Sequence, residues 1–134
     1  MRPLDVRVEA ALETYDGDCR WELIGGIVGE CPDDVLQECL ALLGHDYARE
    51  RSLGADIIGR LVGVDPGARG AALTALSTAL ASETEPCATA SMVAALGHVG
   101  SPEALDAIVG LAGHSDPGVR LAVAFAIATL SPSL

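Results

Sequence analysis

The side chains able to do chemistry are few in this chain and stand far apart. The three histidines read Gly44-His45-Asp46, Gly97-His98-Val99 and Gly113-His114-Ser115. The four cysteines, Cys19, Cys31, Cys39 and Cys87, form no Cys-x-x-Cys pair, and a structural zinc site needs closer pairing. Free, mostly buried thiols are expected, with no metal and no cofactor. Leu23-Ile24-Gly25-Gly26-Ile27-Val28-Gly29 is glycine-rich. It lacks the lysine and the strand-before-helix setting of a phosphate loop, so its glycines are read as permitting close helix contact or fraying a helix. Nothing here marks a catalytic centre, and the chain is read as not an enzyme.

Composition narrows the partners. There are 19 acidic residues against 8 basic ones, all of them arginine, for a net charge of −11. A nucleic-acid backbone demands a basic surface, which this balance does not offer. An acidic protein is steered toward basic partners, although acidity also keeps an apolar chain in solution. No apolar run reaches the length of a membrane span, and charge breaks the first residues, Met1-Arg2-Pro3-Leu4-Asp5, where a signal peptide would begin. The expected compartment is the cytoplasm. Arginine without lysine, beside so much Ala and Gly, points to a GC-rich bacterial gene. Half of the residues are hydrophobic and 3% are aromatic, so the core must be Ala, Leu, Val and Ile. Small side chains let helix lie close on helix, and strands would want more aromatic and β-branched residues.

The elements that position these residues repeat. Sliding residues 113–130 back by 69 lays them on 44–61 with six of eighteen positions identical: Gly44/Gly113, His45/His114, Arg51/Arg120, Ala55/Ala124, Ile58/Ile127 and Leu61/Leu130. The spacing from the arginine, +4, +7 and +10, is one face of a helix. A step of 31 relates Pro86 to Pro117 and Arg20 to Arg51, so the units are spaced 31, 38 and 31. The extra seven residues fall between Leu61 and Pro86 and are expected to lengthen the helix near Pro66 or its exit loop.

Four helix pairs follow, at about 4–29, 33–62, 67–98 and 102–130, in one domain over 1–134. The first helices are expected at about 4–14, 33–43, 67–81 and 102–112, and the second at about 18–29, 47–62, 87–98 and 117–130. Asp33, Asp65, Ser101 and Asp116 are placed to cap helices, with Pro66, Pro102 and Pro117 at first helical positions. Gly17, Gly44, Gly100 and Gly113 suit helix ends. His45 and His114 lie two pairs apart, about 20 Å at about 10 Å per stacked pair, too far to share an ion. Histidines at helix ends are expected to cap free carbonyls and to favour the negative end of the helix dipole.

Asp116-Pro117-Gly118-Val119-Arg120 and Ala95-Leu96-Gly97-His98-Val99-Gly100-Ser101-Pro102-Glu103-Ala104-Leu105 resemble HEAT repeats. They are similar to the PBS-lyase HEAT-like subgroup, with its Asp-Pro-x-Val-Arg, Ala-Leu-Gly and Pro-Glu-Ala-Leu. The resemblance is clear over 86–130, weaker over 18–62 and poor before 18. It implies an all-α fold, an α/α superhelix (solenoid), complete here or part of a longer one, and a scaffold that binds proteins. It also implies that Arg20, Arg51 and Arg120 form a structural ladder, each pairing with an acid of the neighbouring repeat, with Asp18, Asp46 and Asp116 as candidate partners. The alternative is an arginine row for an anionic ligand. Two enzymatic relatives ask for residues this chain lacks. The deoxyhypusine hydroxylase type binds iron through His-Glu pairs, and none of the three histidines precedes a glutamate. The HEAT-like DNA glycosylases need a basic cleft. Two further readings stay open: a subunit of a chromophore-lyase-type complex, and a small acidic immunity or inhibitor protein against a basic partner.

In such a solenoid the second helices line the concave face. With Arg51, Ala55, Ile58 and Val62 inward, the outward positions are Arg49, Leu53, Asp56 and Arg60, and their repeat equivalents Glu22, Ser91, His98 and Phe125 join them. Trp21 lies beside this face as a candidate anchor. The face runs from charged to small and apolar, which suits a basic element beside an apolar anchor. The last helix, with Val119, Leu121, Val123, Phe125, Ile127 and Leu130, is apolar nearly all round. Solenoid ends need polar caps, so further repeats, a partner or a second copy are expected to cover it.

Overall fold

The computed structural model describes residues 32–130. Helix α1 spans Pro32–Leu43, α2 Ala48–Val64, α3 Arg69–Ser82, α4 Pro86–Val99, α5 Glu103–Val109 and α6 Pro117–Leu130, with a 3-10 turn at Pro66–Ala68 between α2 and α3. The expected pair at 4–29, and with it Arg20, Trp21 and Glu22, lies outside the described residues.

Proline and glycine set the boundaries. Pro86 and Pro117 open α4 and α6, where a missing N–H costs nothing and the fixed φ already fits. Asp116 caps α6, its Oδ1 accepting the Val119 N–H at 3.1 Å. Gly100 ends α4 at φ +74°, the left-handed conformation glycine adopts most readily. The other three expected caps differ. Asp33 falls inside α1 because the helix already starts at Pro32. Asp65 makes no side-chain cap. Ser101 gives its hydroxyl to the Glu103 carboxylate while Pro102 occupies the cap of α5. Helix α5 also stops at Val109, short of 112. Three-residue turn bonds replace helical ones there, with the N–H groups of Leu111, Ala112 and His114 donating to Ile108, Val109 and Leu111. The seven extra residues of the third pair appear as the 3-10 turn and the 14 residues of α3.

The helices form two layers. Helices α2, α4 and α6 lie side by side, and α1, α3 and α5 each pack on their own partner. The outer helices bury one stripe at four-residue spacing: Val35, Cys39 and Leu43 in α1, Ala72, Leu76 and Leu80 in α3. Helices α2 and α4 each touch three or more described helices, whereas α6 packs on α4 and α5. Helix α2 therefore buries ten residues and α4 eight, whereas α6, with no described element beyond it, buries only Val119, Val123 and Ala126. This overturns one sequence expectation: Leu53 is fully buried, not outward. It begins a second stripe, Leu53, Ile57 and Leu61, that a helix needs when it has a neighbour as well as a pair partner. Burying one such side chain contributes about 2 kcal/mol.

Candidate functional site

The outward surface of α2, α4 and α6 is built on close contacts between small residues. A Cβ at Gly59 would lie 3.4 Å from the Ala95 Cα, and a Cβ at Gly97 would lie 3.1 Å from both the Cα and Cβ of Ala126. Where α2 meets α4, a pocket of about 110 Å³ opens over Ala55, Gly59, Ala94 and Ala95, with Asp56, Arg60 and His98 also lining it. The His98 ring continues to Phe125, 5.4 Å between centroids and tilted by 58°. Burial pushes the His98 pKa down, and the Arg60 charge adds to the effect. Phe125 is 45% exposed and Leu121 is 73% exposed. Four of the outward residues named from sequence, Asp56, Arg60, His98 and Phe125, therefore share one surface, and three of them meet: Arg60 and His98 at the pocket, His98 and Phe125 in ring contact. Asp56 is half-buried beside Arg60. Ser91 also faces α2, but its hydroxyl lies 2.6 Å from that of Ser52 and so ties α4 to α2. Arg49 sits apart, at the start of α2, with its Nε donating to the Glu50 Oε1 at 3.1 Å.

A second arrangement lies at the turns that precede the inner helices. His45 Nδ1 accepts the Tyr47 N–H at 3.2 Å, and His114 Nδ1 accepts the Asp116 N–H at 3.0 Å. An accepting Nδ1 puts the ring proton of each neutral histidine on Nε2. These histidines hold N–H groups ahead of a helix, not free carbonyls at a helix end as the sequence suggested. Six residues on, the arginine closes the same turn. Arg51 Nη1 donates to the carbonyls of His45 and Asp46 at 2.9 and 2.8 Å. Arg120 Nη1 donates to those of His114 and Ser115 at 2.7 and 3.0 Å.

In the third pair Glu83 and Thr89 take the places of histidine and arginine. Glu83 Oε2 accepts the N–H groups of Thr84 and Glu85, each at 3.1 Å, and Thr89 Oγ1 donates to the Glu85 carbonyl at 2.9 Å. Glu83 also links two pairs. Arg51 Nε donates to its Oε1 at 2.6 Å and Nη2 to its Oε2 at 2.8 Å. The two side chains are 18% and 2% exposed, so this is a bidentate, largely dehydrated ion pair. The shared hydrogen bonds hold the Glu83 carboxyl below its ordinary range and push the Arg51 guanidinium higher still. The carboxylates first considered for the arginines have other places: Arg51 uses only the backbone of Asp46, and Asp116 caps α6. Glu83 was missed because Ser82-Glu83-Thr84-Glu85-Pro86 reads as a loop. The repeat steps find it, since 38 residues forward from His45 and 31 back from His114 both land on Glu83.

Both described thiols are free. Cys39 is buried, which pushes its pKa up to about 12, and Cys87 is exposed. No group of three or more metal-ligating side chains occurs among the described residues, and no described helix is long and apolar enough to cross a membrane.

Paired helices in two layers, with one turn geometry recurring from pair to pair, define an all-helical repeat protein. Residues 73–132 match the model for HEAT repeats, and that match supports a HEAT-repeat protein. Comparison with curated proteins and with solved structures gives no match.

Proposed function

We propose that this chain is a non-catalytic interaction module that holds a protein partner on the outward face of α2, α4 and α6. HEAT repeats generally serve as protein-interaction scaffolds. The observation that carries the reading is the continuous surface from the Asp56–Arg60 pocket to the His98–Phe125 pair. It offers polar groups at one end, a floor of small residues, and a half-exposed aromatic ring at the other. A partner of matching chemistry brings an apolar anchor for Phe125 and a polar or basic segment, drawn by the net charge of −11. In this reading the pairs, including 4–29, stack as one α/α superhelix with this face concave. The Asp116–Arg120 segment supports a place in the PBS-lyase HEAT-like subgroup, because its Asp caps α6 and its Arg closes the turn.

Affinity capture with three immobilised proteins tests it: the unchanged chain, Phe125→Asp and Arg60→Glu. Arg60 is exposed and Phe125 is 45% exposed while touching His98, so capture is run at a temperature where circular dichroism shows all three proteins folded. A protein retained by the unchanged chain and lost from both variants is the expected outcome. If no protein distinguishes the three baits, the face is not an interface and the reading fails.

A further inference from the structure

The first turn of α2 holds the one buried side-chain polar atom among the described residues that has no hydrogen-bond partner, Oε2 of Glu50. The Glu50 side chain is 9% exposed, and Arg49 serves only its other oxygen, Oε1. A polar atom shut away from water without a partner is rare and calls for a reason. The repeat makes this one stand out further. The same position is Ala88 in the third pair and Val119 in the fourth, both fully buried. An acid therefore stands where the other two pairs place apolar core. The His45 ring lies beside it, with Nδ1 4.0 Å from Glu50 Oε2. In the neutral ring that nitrogen has no proton to give, because it accepts the Tyr47 N–H. A ring protonated on both nitrogens reverses the roles: Nδ1 becomes a donor and can no longer accept. Glu50 Oε2 then stands only about 1 Å beyond the length of a charged hydrogen bond.

We propose that His45 is a proton-operated latch on the turn between α1 and α2. In its neutral form Nδ1 holds the Tyr47 N–H. In its protonated form it releases that N–H to water and donates to Glu50 Oε2. The backbone of the turn stays fixed in both forms, because Arg51 Nη1 holds the carbonyls of His45 and Asp46. The ring itself has room to swing, since the side chain is 43% exposed. Tyr47, 66% exposed and in ring contact with His45 at 5.5 Å, moves with it. The device thus couples pH to the placement of an exposed aromatic at the start of α2. The surrounding charges leave Glu50 Oε2 as the acceptor. On α2, Arg49 pairs with Glu50 through Oε1, and Arg51 pairs with Glu83 of the turn before α4. The groove shared by His45, Arg51 and Glu83 takes only uncharged residues from α1 and α3, namely Leu43, Ala79 and Ser82. Asp46 follows His45 in the chain and is exposed to water. The latch needs nothing from the proposed partner face, so either can fail its test alone.

His114 supplies an internal control. It accepts the Asp116 N–H in the same way, but Val119 stands where Glu50 does. The test is nitrogen-15 NMR of the imidazoles and amides of the full chain, from about pH 8 to about pH 5, the interval in which imidazoles titrate. At the upper end both rings should show the Nε2–H tautomer. At the lower end His45 should show an Nδ1–H resonance protected from solvent exchange, and His114 should not. The protection factor of the Tyr47 amide should fall about fivefold over the same interval, the effect of losing one neutral hydrogen bond. Glu50→Val, which copies Val119, should abolish the protected Nδ1–H while His45 still titrates. The proposal is overturned if the lower end shows no protected Nδ1–H on His45 or shows one on both histidines. It is overturned equally if the Tyr47 amide keeps its protection throughout, or if the protected Nδ1–H survives Glu50→Val. Should Glu50→Val fail to fold, the comparison of His45 with His114 in the unchanged chain still decides.

Discussion

Replacing Glu83 by Gln isolates the charge that joins the second pair to the third. The substitution keeps the shape and one acceptor, but one of the two Arg51 donors then faces an amide N–H. The Glu83 side chain is 2% exposed, so water cannot fill in for the lost acceptor. A hydrogen bond to a charged group contributes about 1.5–3 kcal/mol, and a loss of about 2 kcal/mol is expected. For a chain of this size that lowers Tm by about 8 °C. Arg51→Met should cost more, about 3 kcal/mol, because the bonds to the His45 and Asp46 carbonyls go as well. Urea denaturation of the two single variants and the double variant yields the coupling, expected near 1.5 kcal/mol. The pH dependence is a second readout. Glu83 titrates near 4.5 when unfolded and lower when folded. Its contribution is therefore complete above pH 4.5 and disappears as pH falls through the lowered folded value. Glu83→Gln should lack that part of the acid slope. A coupling below about 0.5 kcal/mol, or identical acid slopes, would refute the claim that this pair links the repeats.

Gly97→Ala forces a methyl to within 3.1 Å of Ala126 and should destabilise by about 1–3 kcal/mol, whereas Gly63→Ala, in α2 with nothing within 4 Å, should stabilise by about 0.5–1 kcal/mol; thermal melts separate the two. Alkylation with peptide mapping should label Cys87 in the native protein and leave Cys39 unlabelled until urea unfolds the chain, since burial holds the Cys39 pKa at about 12. In an NMR titration His98 should have its midpoint below the ordinary 6.5, moving up in Arg60→Gln. The neutral ring favours the folded state, so that contribution weakens as pH falls below 6.5. Native-state hydrogen exchange should find α5 and α6 opening before α2 and α4, because α6 buries three residues where α2 buries ten.

The described helices were readable because their signals are local. Apolar positions recur at helical spacing, and Pro86, Gly100, Asp116 and Pro117 punctuate them in ways that depend on one or two φ angles. The outward surface was readable at the positions opposite the pair partner, so Arg60 on α2, His98 on α4 and Phe125 on α6 are exposed as the period predicts. Leu53 failed that rule because burial of an inner helix depends on a neighbour one repeat away. Glu83 was hidden for a related reason. Its own surroundings say loop, and only the carbonyl-fastened Arg51, 32 residues earlier, makes it a joint. Contacts within a pair leave a periodic mark, and contacts between pairs leave one only when the repeats are aligned with each other.

The alignment also explains why the third pair departs from its neighbours. In the second and fourth pairs, histidine holds the N–H groups of the turn and arginine holds its carbonyls. A neutral histidine there could not neutralise an arginine arriving from the preceding pair. Glutamate can do both, since one carboxylate accepts two turn N–H groups and still binds a guanidinium with both oxygens. Once Glu83 is in place, an arginine at position 89 would bring a second cation beside Arg51. Thr89 satisfies the turn through one neutral hydrogen bond to the Glu85 carbonyl instead. The consequence is a stack joined unevenly. The second and third pairs share an ion pair. The third and fourth meet through Gly97 against Ala126 and His98 against Phe125, contacts of shape. The Phe125 half of the candidate interaction face therefore rides on the pair with the fewest buried residues among those described.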